Sequence, residues 1–307
     1  MACKCDVGLG NVGTPNCQPI ATVARKLILV PIYKDDGTKN YFEIGVDALD
    51  QSWFDAKVNN ADASQRWFPL PQMENITQER AESIFETAPS GVTAKIREGA
   101  KSFSGEVWKQ SPTFLGKLKE ASCIAFGVYV VDNDENIIGY EPDADGKVYP
   151  ISVDHNSFDP RLVDATDSVV QKILVSFNFA DSMRDEYLVM LTEDDYTFDA
   201  INAKGLLDVT VAYSSITTAG FTATLSTKYG STASKVKVKG LVLGDFALAE
   251  LSPTPGAVAI TSVTESADGV YDFVLTTPAT SADVLELTPS KNGFDFTAVV
   301  ASTITIP

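Results

Sequence analysis

Apolar positions along the chain form short continuous runs or alternate with polar ones, patterns that are typical of strands rather than helices. From residue 26 the pattern becomes strand-like: residues 27–33 form an apolar run that a turn signal closes at residues 34–37, and residues 41–46 resume the run. This arrangement predicts a hairpin. The strand predicted over residues 169–179 places four apolar side chains on one face: Ile173, Val175, Phe177 and Phe179.

A longer alternation occupies residues 92–98 and 102–108. At about 3.3 Å per residue, a ribbon over this stretch would run roughly 50 Å, whereas an ordinary strand has about 5 to 6 residues. We therefore expect the ribbon to reach beyond its own domain. The clearest helix follows it, with Ser111 as N-cap and Pro112 at the first helical position.

Shorter patterns complete the main part of the chain. Residues 50–58 and 77–86 predict short helical or irregular pieces. Three apolar segments joined by acidic turns predict a β-meander over residues 122–131, 137–140 and 147–153. The fold class is therefore predicted to be mainly β.

Composition divides the chain into three predicted parts. Residues 1–25 are rich in Gly, Pro, Asn and Cys and have no regular period, so we expect an N-terminal arm. Residues 26–250 form the predicted main β domain. A linker signal rich in Pro follows at residues 252–256, and residues 251–307 are predicted to form a small C-terminal β-sandwich-like module.

Charge limits the classes of partner. The 307 residues include 41 acidic and 24 basic side chains, which gives a formal net charge of −17. This balance disfavours tight capture of nucleic acid or of an anionic membrane, because both have the same sign as the protein. The N-terminus lacks the pattern of a signal peptide and no apolar run is long enough to span a bilayer, so we expect synthesis in a cytosol.

Two groups of residues suggest metal sites, and neither has the right pattern. Cys3, Cys5 and Cys17 match no standard zinc spacing, so reduced thiols are expected there, with Cys123 as a small core residue. An EF-hand loop would start at Asp132, but it has neither the required Gly at its sixth position nor the Glu at its twelfth. Its acidic and amide residues are therefore expected to form a β-turn: Asp132, Asp134 and Asn136.

A search for catalytic groups leads to the prediction that the chain is not an enzyme and has no catalytic residue, metal or cofactor. Residues 8–13 spell G-x-G-x-x-G without a preceding strand, and His155 has no nucleophile elbow beside it. The acidic residues 193–195 are expected to be a surface turn. Alternating lysines in residues 235–239 have no aromatic partners, which favours a solvated strand face over a nucleic-acid site.

The order of these elements resembles the structural proteins of tailed bacteriophages, most closely a tail tube (major tail) protein. The similarity involves residues 8–31, 90–103, 169–179 and 205–209. It implies a β-sandwich or barrel with a flanking helix, and a long hairpin and terminal arm that contact the next ring. It also implies that the C-terminal module resembles an immunoglobulin domain and decorates an outer surface.

The same resemblance implies a function in the virion, after assembly in the cytoplasm of a bacterial host. The expected partners are further copies of the chain in stacked, six-membered rings, other tail or neck proteins, and DNA that passes through the lumen without tight binding; no membrane is expected. A neck, ring or capsid-decorating protein is one alternative. A surface adhesin or carbohydrate-binding module is another, suggested by the Thr- and Ser-rich C-terminal region.

Overall fold

A computed structural model describes residues 20–231 and 233–307, and these fold mainly as antiparallel β-sheets. The chain divides into two compact units, the first ending at Gly205 and the second comprising Leu206–Pro307. Within the described ranges, no helix is long and apolar enough to cross a bilayer. Most of the predicted N-terminal arm, residues 1–19, lies outside the described residues.

The first unit is built from short and medium strands with two α-helices. Its strands are β1 (Ala24–Pro31), β2 (Phe42–Glu43), β3 (Phe68–Pro69), β4 (Glu74–Arg80), β5 (Ile84–Thr87), β6 (Thr93–Arg97), β7 (Lys101–Trp108), β8 (Phe126–Asp132), β9 (Ile137–Tyr140), β10 (Lys147–Val148), β11 (Ile151–Ser152), β12 (Asp159–Val163), β13 (Lys172–Asn178) and β14 (Leu188–Leu191). Its helices are α1 (Gln51–Val58) and α2 (Pro112–Ala121).

Two sheets of the first unit enclose one hydrophobic core. The first sheet has the order β14-β9-β8-β1-β3, with β11 beside β8, and the second has the order β12-β13-β7-β4. The core joins Leu27 and Val128 of the first sheet to residues of the second, with Leu118 of α2. The four side chains predicted to share one face of β13 and its extension are all buried in it: Ile173, Val175, Phe177 and Phe179. The sheets stay open rather than closing into a barrel.

Strand β1 lacks strict alternation because both of its faces are buried. Leu27 and Leu29 belong to the core between the sheets. Ile28 lies opposite Tyr129, whose ring is 4.8 Å from that of Trp67 on the other face. A strand covered on both sides needs apolar residues at successive positions.

The hairpin predicted for residues 26–46 is replaced by a different pairing. The turn forms, with Lys34 N donating to Thr38 O at 2.8 Å, but among the described strands β1 pairs with β3 and β8, and β2 pairs with β10. The backbone pairing between the two arms is limited to the isolated bridge between Tyr33 and Lys39 among the described residues. The side chain of Asn40 donates to Pro31 O and Ser64 O, which fixes the point where the chain leaves β1.

The local predictions around the helices have different outcomes. Helix α1 forms with Asp50 as N-cap, and α2 begins at Pro112 as predicted. Ser111 precedes α2, but its hydroxyl makes no capping bond and is buried without a hydrogen-bond partner. Cys123 is exposed rather than in the core, because it lies in the turn between α2 and β8.

The second unit is also a two-layered β structure. Its strands are β15 (Leu207–Thr217), β16 (Gly220–Gly230), β17 (Lys235–Lys237), β18 (Phe246–Ser252), β19 (Gly256–Ala257), β20 (Ile260–Ala267), β21 (Val270–Leu275), β22 (Val284–Pro289), β23 (Phe294–Asp295) and β24 (Thr303–Thr305), and its one-turn helix is α3 (Thr297–Val300). One sheet has the order β20-β21-β16-β15-β23, with β17 beside β16, and the other has the order β19-β18-β22-β24.

The second unit starts earlier than the sequence predicts. A boundary between residues 250 and 251 falls inside β18, and the linker signal at residues 252–256 is the turn that joins β18 to β19. The core of this unit needs residues from both sides of that point. It packs Phe221 and Leu225 of β16 together with Leu285 and Leu287 of β22.

This boundary predicts how fragments of the chain behave. A fragment of residues 206–307 should unfold in one cooperative thermal transition followed by circular dichroism, because it contains the whole core. A fragment of residues 251–307 should give no cooperative transition, since it lacks β15, β16 and nearly all of β18. Cooperative unfolding of the shorter fragment would contradict this boundary.

Candidate interaction surface

A long two-stranded ribbon extends from the second sheet of the first unit. It rises through β4 and β5 and returns through β6 and β7, with Arg80 opposite Lys101 near the sheet and Thr87 opposite Thr93 near the tip. At the tip, Ala88 N donates to Val92 O at 2.8 Å, and Gly91 adopts a φ of +84°. We call residues 81–100 the hairpin arm.

The hairpin arm leaves large apolar side chains in solvent. Among the described strands, β5 and β6 pair only with each other, and every residue in them is exposed. The returning half of the arm, residues 93–100, is extended over on the order of 25 Å if each residue spans about 3.3 Å. The arm exposes four large apolar side chains: Ile84 at 43%, Phe85 at 58%, Val92 at 66% and Ile96 at 59%.

A close approach of the backbone sets the base of the arm. Ala81 N donates to Ala100 O at 2.9 Å, which continues the ribbon beyond β4 and β7. A Cβ atom placed on Gly99 would lie 1.7 Å from Ala81 O. Only glycine fits this position without moving the two strands apart.

A basic pocket lies where the arm joins the sheet. Its volume is about 380 Å³, and we call it the arm-base pocket. Acidic groups on its wall are Glu98 and Asp181, and apolar groups include Ile96 and Phe179. The cations that line it outnumber these carboxylates: Arg80, Lys95, Arg97, Lys101 and Arg184.

Ion pairs neutralise only part of this positive charge. Glu98 accepts from Lys95 at 2.5 Å and from Arg80 at 3.1 Å, and Arg80 also contacts Asp185 at 2.6 Å. The bond from Lys95, with the nearby positive charges, lowers the pKa of the Glu98 carboxyl. Within the part of the chain that the structure describes, the guanidinium groups of Arg97 and Arg184 form no ion pair or hydrogen bond. The pocket therefore has a positive potential in a strongly acidic protein.

The loop that resembles an EF-hand is a β-turn, in agreement with its sequence. Asp132 is fully buried, and its carboxylate accepts from the backbone N–H groups of Thr22, Asp134 and Asn136. It also accepts from the Asn136 side chain at 2.9 Å. These bonds occupy the oxygen atoms that a cation would need. No cluster suited to a metal ion occurs among the residues described.

The other candidates from the sequence lie at separate surface positions. His155 starts a short 3₁₀ turn capped by Asp154. In the acidic run 193–195, Asp195 accepts from Thr192 N at 2.8 Å, which is a turn contact. Lys237 lies in β17 and is paired with Ser226 of β16, and the ammonium group of Lys239 contacts the carboxylate of Asp268. The cysteines at 3, 5 and 17 and the glycine-rich residues 8–13 lie outside the described residues.

Lys26 is a buried cation that the sequence pattern does not reveal. Only 1% of the residue is exposed, and its ammonium donates to Ile201 O at 2.9 Å and to Ala203 O at 2.5 Å. Burial lowers the pKa of Lys26 to about 8, against an opposing effect of Asp199. The side chain therefore connects β1 to the last segment of the first unit.

The outgoing half of the arm is the other feature that the sequence reading missed. Residues 77–86 are strand or strand connection rather than helical or irregular pieces. A signal was present: Pro89, Ser90 and Gly91 form a turn sequence between Thr87 and Thr93, which favours a hairpin.

Comparison with known proteins adds no relative, because no family model and no curated protein matches the chain.

The buried ammonium of Lys26 predicts a pH dependence of stability. Its pKa in the folded state is about 8, below the ordinary value of about 10.4, so the unfolded state binds more protons between these values. From pH 8 to pH 10, the unfolding free energy of the wild type should rise by about 1–2 kcal/mol relative to Lys26→Met. Urea unfolding at a series of pH values measures this difference.

The exposed neighbour Lys204 supplies the control. Lys204→Met should leave the pH dependence of the unfolding free energy parallel to that of the wild type. If the unfolding free energies of the wild type and of Lys26→Met also change in parallel with pH, Lys26 is not desolvated in the folded protein.

Proposed function

We propose that the chain is a virion structural protein of a tailed bacteriophage, a tail tube subunit that self-assembles into stacked rings around a DNA conduit. The observation that carries the proposal is the hairpin arm. It extends a strand pair beyond the sandwich and exposes apolar residues that no other described part of the chain covers. A neighbouring subunit would bury them.

The free arm lacks a third strand or a packing partner among the described residues. A two-stranded hairpin without a third strand or a packing partner is marginally stable in water. Burial of a large apolar side chain contributes about 1.5–3 kcal/mol. Contact with other copies therefore stabilises the arm itself and also connects the subunits. Repetition of one such contact is sufficient to build a ring or a filament.

The charge of the chain is consistent with a conduit for DNA. A subunit with a net charge of −17 repels the phosphate backbone, so DNA can move along an acidic wall without adsorbing to it. The second unit has its own hydrophobic core, which suits an appended module on an outer surface. Together with the arm, these features favour an assembly protein over a ligand-binding one.

Substitutions in the arm test the proposal directly. The wild-type chain, purified and concentrated, should form long hollow tubes in negative-stain electron micrographs. Phe85→Asp combined with Ile96→Asp should abolish the tubes and leave monomers, because a buried carboxylate in a contact costs several kcal/mol. The melting temperature of the variant should stay within about 2 °C of the wild type, since both side chains are exposed.

An exposed valine of the second unit provides the matched control. Val236 is 51% exposed, a fraction similar to those of Phe85 and Ile96. Val236→Asp should leave the tubes unchanged. Wild-type discs without tubes would favour a neck or ring protein. A wild-type chain that remains monomeric at every concentration would contradict a tube subunit.

A further inference from the structure

The sheet that bears the hairpin arm has chemically different ends. In the pairing of β13 with β7, Asn178 lies opposite Ser102 at the end that continues into the arm, and Lys172 lies opposite Trp108 at the other end. The arm-base pocket is at the first end. The loop that joins β12 to β13 is at the second, and we call its residues 164–170 the far loop.

The far loop is acidic, whereas the arm-base pocket is basic. Every residue from 164 to 170 is exposed, and the loop contains Asp164 and Asp167. Two apolar side chains follow, with Val169 38% exposed and Val170 45% exposed.

The remaining charged groups at this end leave the loop acidic. Lys172 is engaged with Glu106 at 2.5 Å, and Glu74 lies opposite Glu106 in the sheet. Lys109 is another residue with a cationic side chain near this end, where its backbone N–H donates to Gln171 O. The far loop therefore presents two carboxylates beside two apolar residues.

We propose that the arm-base pocket of one copy binds the far loop of a second copy, so that the carboxylates of Asp164 and Asp167 lie against Arg97 and Arg184. This inference rests on the proposed function and identifies the surfaces that join successive subunits. The adjacent apolar groups match as well, since Val169 and Val170 would reach Ile96 on the pocket wall.

The geometry of the sheet favours an open stack for this contact. Because the two surfaces are at opposite ends of one sheet, a copy whose pocket is occupied still presents its far loop to a further copy, and a copy whose loop is bound still presents its pocket. Such a head-to-tail contact extends as a filament or stack unless rotation closes it. A local attraction is also needed for assembly, because chains of net charge −17 repel one another at long range.

Charge reversal on separate chains tests the contact. A pocket variant combines Arg97→Glu with Arg184→Glu, and a loop variant combines Asp164→Arg with Asp167→Arg. In each variant alone, like charges face each other across the contact. The concentration needed for half-maximal assembly should therefore rise by at least about tenfold. An equimolar mixture restores opposite charges at every contact, and should assemble within about threefold of the wild-type concentration.

Light scattering against concentration measures assembly, and circular dichroism checks that each variant is folded. Lys235→Glu, an exposed cation of the second unit, is the control and should assemble like the wild type. Variants that assemble as the wild type does, or a mixture of folded variants that fails to assemble, would overturn this contact and leave the tube proposal standing. A wild-type chain that does not assemble would overturn both.

Discussion

A two-stranded ribbon cannot bury its own apolar side chains, and this constraint governs the first unit. The hairpin arm leaves the sandwich at Ala81 and Ala100, and beyond that point it has no described third strand or helix to pack against. Phe85 and Ile96 are consequently exposed. Chains with exposed strand pairs of this kind associate unless charge or covering elements prevent it.

The sandwich below the arm supplies a rigid base for it. Strand β7 begins at Lys101, directly after the arm, and enters the core, where Phe103 stacks on Phe177 with ring centroids 5.0 Å apart. Gly99 allows the two strands to approach closely at the junction. The same junction collects the cations of the arm-base pocket, so the apolar and the electrostatic contributions to a contact lie side by side.

Local chemistry made much of the fold predictable. The alternation around Val175 identifies a strand with one buried face, and Pro112 marks a helix start, because both signals depend only on neighbouring residues. The partners of β1 were not predictable, since pairing with β3 and β8 depends on residues far along the chain. The linker signal at residues 252–256 was misleading because proline and glycine also form turns within a domain.

The candidate site was predictable only in part. Alternation in residues 92–108 indicated an overlong ribbon, but its partner strand was hidden because Glu74–Arg80 has almost no apolar residues to mark a period. The arm-base pocket draws Arg80, Arg97 and Arg184 from three separate segments, and no sequence motif links them. Lys26 was hidden for a different reason: a single cation beside an apolar run ordinarily indicates the edge of a strand rather than a buried group.

The central claim is that the hairpin arm is an element of contact between subunits. Hydrogen–deuterium exchange measured on the monomer and on the assembled protein tests it most directly. The account predicts that the backbone amides of β5 and β6 exchange rapidly in the monomer and become at least about tenfold slower on assembly, since their open-state population falls when a neighbour covers them. Assemblies in which these amides exchange as fast as in the monomer would contradict it.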